Sequence, residues 1–169
     1  PGTLGAVRAI VPAPGGGTWT QAGQTLSLQA AVKYAGTSVS LSADGNVLAI
    51  GAPETFDANA GGDAAQVYEW TMTGFGSGWE TRGGLVDGHA SVLSADGVCL
   101  ASAFQQSTLV HAWSGIAWVP LGGGVQGDVV GDASGTPLAL SAKGRHLAVG
   151  TRTALASAGR VVVYEARGR

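Results

Sequence analysis

The sequence predicts an all-β fold assembled from a repeated antiparallel unit, and three observations predict it. One short phrase recurs, as Val39-Ser40-Leu41-Ser42-Ala43-Asp44-Gly45, Val92-Leu93-Ser94-Ala95-Asp96-Gly97 and Leu138-Ala139-Leu140-Ser141-Ala142-Lys143-Gly144. Each copy is followed by a second apolar run, at Val47 to Ile50, Val98 to Ala101 and His146 to Val149. The chain of 169 residues also carries 29 glycines, which suits many short strands joined by tight turns. Self-similarity on this scale marks a propeller, solenoid or array, so it decides architecture before any single residue decides chemistry.

The elements follow in order. Val7 to Val11 and the Trp19 segment Gly17-Thr18-Trp19-Thr20-Gln21-Ala22-Gly23 read as a strand pair. In each copy of the phrase, an apolar run ends at Leu41, Leu93 or Leu140 and the next strand begins within a few residues, which predicts a β-hairpin. Gly45, Gly97 and Gly144 stand where such a loop needs a left-handed residue, and Asp44 and Asp96 can accept from neighbouring amides. Lys143 in the third copy favours turn chemistry over acid chemistry, because an essential carboxylate would not exchange with an ammonium. Gln66 to Trp70, Leu109 to Trp113 and Val161 to Glu165 alternate and are rich in β-branched and aromatic residues, so they read as third strands. Two of them lead through a turn into a Trp strand, at Gly78 to Gly84 and Ala117 to Gly123, giving a four-stranded unit.

Tyr34-Ala35-Gly36-Thr37-Ser38-Val39, the hairpin, Leu48-Ala49-Ile50-Gly51-Ala52-Pro53, the Val-Tyr-Glu-Trp strand and the Trp strand together resemble one blade of an FG-GAP-type, integrin-α-like β-propeller. The match weakens along the chain, with Ala101-Ser102-Ala103-Phe104 and then Val149-Gly150-Thr151 in place of Gly-Ala-Pro. The resemblance implies a β-propeller-like array of four-stranded blades in a single domain. It runs as a partial blade at 5–25, blades at 34–84 and 88–123, and a partial blade at 131–166, about three blade equivalents. Closed propellers typically hold about four to eight blades, so this is a piece of a ring, a reduced closed form or a curved array. Proteins of this family are often secreted or on the surface, so the resemblance also implies an extracellular or organelle-lumen setting.

Charged residues are only 12% of the chain, against about 25% in typical soluble domains. Either Ser, Thr, Gln and Gly carry the solvation or partners cover much of the surface. A net charge of −2 argues against a nucleic-acid partner, since phosphate binding needs a local excess of Lys and Arg. Arg145, Arg152, Arg160, Arg167 and Arg169 gather late in the chain, as ordinary loop and tail charges or as a docking patch for an acidic protein or lipid headgroups at a membrane complex. No apolar stretch reaches the ~20 residues a transmembrane helix needs.

No motif for catalysis or a cofactor stands out. Cys99 is the single cysteine and reads as a small strand residue, with His89 and His111 on the same repeat as the weak case for a Cys/His pair. The metal candidates are Asp57, Asn59 and Asp63, because oxygen ligands at alternate positions of a turning backbone are what calcium loops use. An ordinary Gly/Asn/Asp loop is the competing reading. The recurrence of Trp19, Trp79 and Trp118, and of Trp70 and Trp113, explains most of them as packing between blades rather than as sugar stacking. Phe56, Phe75 and Phe104 fall in loops or at strand ends and are the candidate partner contacts. The expected function is a non-enzymatic binding or scaffold role, as an accessory subunit docked on other protein subunits through inter-strand loops such as Glu54 to Asp63 and Thr73 to Gly78. The alternative is a secreted adhesion or glycan-binding fragment with a calcium site.

Overall fold

The computed structural model describes residues 5–28, 32–55, 63–74, 76–104, 107–126, 134–151 and 158–166. The recurring phrase forms the same turn three times. Ser42, Ser94 and Ser141 each donate a backbone amide to the carbonyl of the residue five positions on, and each hydroxyl accepts from that same residue's amide, Val47, Cys99 or His146, at 2.9 Å. Gly45, Gly97 and Gly144 close the turns with φ of 73°, 68° and 67°, the left-handed region in which a Cβ is strained. Asp44 and Asp96 accept from Ser42 and Ser94 Oγ at 2.5 and 2.6 Å, and from the amides of Asn46 and Val98. The serine hydroxyl is the main cause holding each carboxyl below the usual carboxylate range. These aspartates are turn acceptors.

All described secondary structure is strand, in antiparallel sheets, none of which closes into a barrel. β1 (Ile10–Pro12) and β2 (Trp19–Gln21) form a hairpin, and β3 (Val32–Lys33) pairs with β6 (Glu54–Thr55). The second large unit runs β4 (Ser38–Leu41), β5 (Val47–Ala52), β7 (Ala64–Thr73) and β8 (Gly76–Thr81), with β9 (Val86–Asp87) also on β7. The next repeats it as β10 (Ala90–Leu93), β11 (Cys99–Phe104), β12 (Ser107–Trp113) and β13 (Trp118–Pro120), with β14 (Val125–Gln126) on β12. The last has three strands, β15 (Ser134–Leu140), β16 (His146–Thr151) and β17 (Arg160–Glu165).

Register fixes how the units correspond. Pro12 faces Trp19 as Trp70 faces Trp79 and Trp113 faces Trp118, and Val7 bridges Leu26 as Ala65 pairs with Val86 and Thr108 with Val125. The β1–β2 hairpin is therefore the counterpart of β7–β8 and β12–β13. By the same logic β17 corresponds to β7 and β12.

The sheets stack face to face because their second strands are apolar on both faces. β5 sends Leu48 and Ile50 into a core with Leu26, Tyr68 and Trp79, and turns Val47 and Ala49 to the other side, against Leu93 and Leu100. β11 repeats the pattern, with Leu100 in that core and Ala101 in the following one beside Leu147 and Val149. Period-2 alternation with both faces covered is what a sandwiched strand requires. The first strands also bond to one another, through Leu93 N to Ser40 Oγ and Ser91 N to Ser38 Oγ, both at 3.0 Å. The turns do the same, with Ala43 N donating to Ala95 O at 2.8 Å and Asp96 N to Ala142 O at 3.3 Å.

Candidate docking groove

At the two internal sheet interfaces one arrangement recurs. The turn of the following sheet rides on the start of the preceding sheet's second strand, so that a Cβ on Gly97 would lie 2.9 Å from Val47 Cγ2 and one on Gly144 2.6 Å from Cys99 Sγ. The leucine that ends the first strand fits beneath, and Leu93 is 4% exposed. Tryptophans latch two boundaries, that between the β1–β2 hairpin and the β4 sheet and that between the β4 and β10 sheets. Trp79 donates from Nε1 to Ala22 O at 3.2 Å and Trp118 donates from Nε1 to Arg82 O at 2.9 Å, while Gly23 and Gly83 lie against Trp70/Trp79 and Trp113/Trp118. The rings of each pair meet at an angle, 5.4 and 5.3 Å between centroids, a favourable edge-inclined geometry. The expectation that these four tryptophans pack between units agrees with this placement.

The first copy of the arrangement is incomplete. Nothing lies within 4 Å of a Cβ built on Gly45, Leu41 is 55% exposed and Val39 is 57% exposed. Trp19, the counterpart of Trp79, is 66% exposed, so the packing reading fails for it. Between β1 and β4 lies an apolar groove of about 600 Å³, walled by Val7, Ala9, Val11, Val39, Leu41 and Leu48, with Arg8 and Asp44 also lining it. Its position corresponds to that held by β5 and β11 at the internal interfaces. Among the described residues, β1 is paired along one edge only, with β2.

Of the residues singled out from sequence, Asp63 is hydrogen-bonded to His89, Oδ2 to Nδ1 at 2.8 Å, with both side chains about one-fifth exposed, at 22% and 23%. Asp57, Asn59, Phe56 and Phe75 lie outside the described residues, so of the calcium set only Asp63 has a described place. No cluster of three or more His, Cys, Asp or Glu side chains suited to a metal ion occurs among the described residues. Phe104 ends β11, half-buried, with its carbonyl accepting from Ser107 Oγ at 3.1 Å. Neither Phe104 nor Asp63 lines the groove. Arg145 and Arg160 are exposed, and the other late arginines lie outside the described residues.

Three further titratable groups, Arg82, Cys99 and His111, have structural surroundings. Arg82 is nearly buried, 4.9 Å over the Trp113 ring and 3.4 Å from Glu69 Oε1, which ties one sheet to the next. Burial is the main cause pushing the free Cys99 thiol up, with Asp96 adding to it, the opposite of an activated nucleophile. His111, the counterpart of Tyr68, is buried, and its Nδ1 has no partner among the described residues. Burial pushes its pKa below the usual value, partly opposed by Asp87. A lowered folded pKa means that the unfolded chain takes the proton first. His111 therefore leaves stability intact above about pH 6.5 and costs stability as pH falls from there through its folded value. The unfolding midpoint of His111→Gln is expected to fall less between pH 7 and pH 5 than that of the parent chain. Superimposable pH profiles in urea titrations would contradict a buried neutral His111.

No family model and no curated protein matches this chain.

Proposed function

We propose that the chain is a non-enzymatic binding module, an FG-GAP-like array of propeller blades that serves as an accessory subunit of a larger protein assembly. The observation that carries this reading is the groove beside Val39 and Leu41. Contiguous exposed apolar surface of this kind is expensive to leave in water and marks interaction sites. The scarcity of charge, 12% of residues, supports a surface largely covered in use. In this reading the stacked sheets are the rigid frame and the groove, with its neighbouring loops, makes the contact. Among the described residues no helix is long and apolar enough to cross a membrane. A secreted or lumenal setting belongs to the same proposal.

Exposed Trp19 favours one rival, an adhesion module that stacks sugars on that ring. The native mass of the protein from its source separates the two. The accessory-subunit reading expects elution in an assembly, and it expects Leu41→Arg to lower recovery there while leaving the circular dichroism spectrum unchanged. Elution as a monomer would overturn it and turn attention to glycan binding at Trp19.

A further inference from the structure

We infer that the groove is a docking slot for a β-hairpin of this chain's own repeat chemistry, supplied by a further unit of the same repeat. The inference rests on reading the groove as a binding surface. Two filled copies of the same slot define what fits. In one, β5 occupies it and offers Val47 and Ala49 to Leu93; in the other, β11 offers Cys99 and Ala101 to the Leu140 sheet. Both occupants are second strands of a hairpin with small or branched apolar residues at alternate positions. Both are hydrogen-bonded along their length to the third strand of their own sheet.

The empty copy keeps the receiving parts but one, since Pro12 stands where Trp70 and Trp113 donate their amides to Asn46 O and Val98 O at 2.8 Å and has no N–H to give. Leu41 stands at the position of Leu93, Gly45 at that of Gly97, and β1 at that of β7 and β12 with an edge free among the described residues. An antiparallel strand added to β1 would satisfy that edge by backbone pairing, and its alternate side chains would cover Val39 and Leu41. A small apolar ligand would cover the side chains and leave the strand edge unpaired. The hairpin explains both features at once.

The spacing of the chain specifies a test. Ser107 precedes Thr108 as Ala6 precedes Val7, and Thr108 and Val7 hold the same register, so residues 88–106 can be joined directly to Ala6 in place of residues 1–5. The donated copy then stands where β10 and β11 stand relative to β12. Fusion keeps the local concentration high enough that weak docking is visible. A control carries Asp at the donated copy's Cys99 and Ala101, the residues that would face Leu41.

The fusion is expected to raise the thermal midpoint over the control by about 5 °C or more, and to slow amide exchange at Val39 and Leu41 about tenfold or more. Equal midpoints and equal exchange in fusion and control would overturn the inference. So would protection of Leu41 in the unfused chain by its own self-association, which would make a second copy the occupant. Loss of the native assembly in Leu41→Arg, together with a failed fusion, would remove the hairpin while keeping the docking function.

Discussion

Replacing Leu93 with alanine is expected to destabilise the protein by about 2–5 kcal/mol, whereas the same change at Leu41 costs under about 1 kcal/mol. The two leucines occupy one position of the repeat, both facing a leucine across the hairpin, Leu100 and Leu48. They differ in what lies over them. Leu93 is enclosed by Val47, Ala49, Val67 and Leu100, and Trp118 packs against the same cluster, so truncation leaves a cavity that neighbouring strands cannot close. Leu41 opens onto the groove, so truncation removes surface that water already touches. Urea unfolding of both variants reads the contrast directly, and equal losses would mean that the sheets do not stack as described.

Gly51→Ala is expected to cost about 1–3 kcal/mol or more, through crowding alone. Gly51 lies within β5, where its Cβ would run into the carbonyl oxygen of His89 and the hydroxyl of Ser38. Those two atoms are themselves bonded, Ser38 Oγ donating to His89 O at 3.1 Å, so the seam between β4 and the start of the next sheet must open to admit a methyl group. His89 O is backbone and cannot rotate away. By contrast, alanine at Gly74, where a Cβ meets nothing, should lie within about 0.5 kcal/mol of the parent. A Gly51→Ala chain as stable as the parent would contradict the close approach of the two sheets at this seam.

The turns were legible because their chemistry is local. A Ser, an Asp and a Gly within four residues carry most of the side-chain bonds and the left-handed residue that the turn uses, so the phrase alone predicts it. Trp70 and Trp79 were legible as packing residues from their recurrence as Trp113 and Trp118, though not as partners across one strand pair. Short strands escaped. Val86–Asp87 and Val125–Gln126 are too brief to show alternation, and only the end of β15 was legible, from Leu138 to Leu140, because a register shift separates it from Ser134, where the strand begins. The groove was invisible for a deeper reason. Leu41 and Leu93 sit in nearly identical words, and only the tertiary stack shows that one is covered and the other is not. Sequence reasoning placed partner contacts at loop aromatics, of which Phe56 and Phe75 lie outside the described residues, and gave no sign of the apolar strand face at Val39 and Leu41.

The central claim is that Val39 and Leu41 are a working contact surface. Hydroxyl-radical footprinting of the protein in its native assembly and as the isolated chain tests it most directly. The account predicts that oxidation of Leu41 and Val39 drops several-fold in the assembly while exposed Met72, on β7 away from the groove, stays equally reactive. Unchanged oxidation at Leu41, with protection appearing elsewhere, would contradict it.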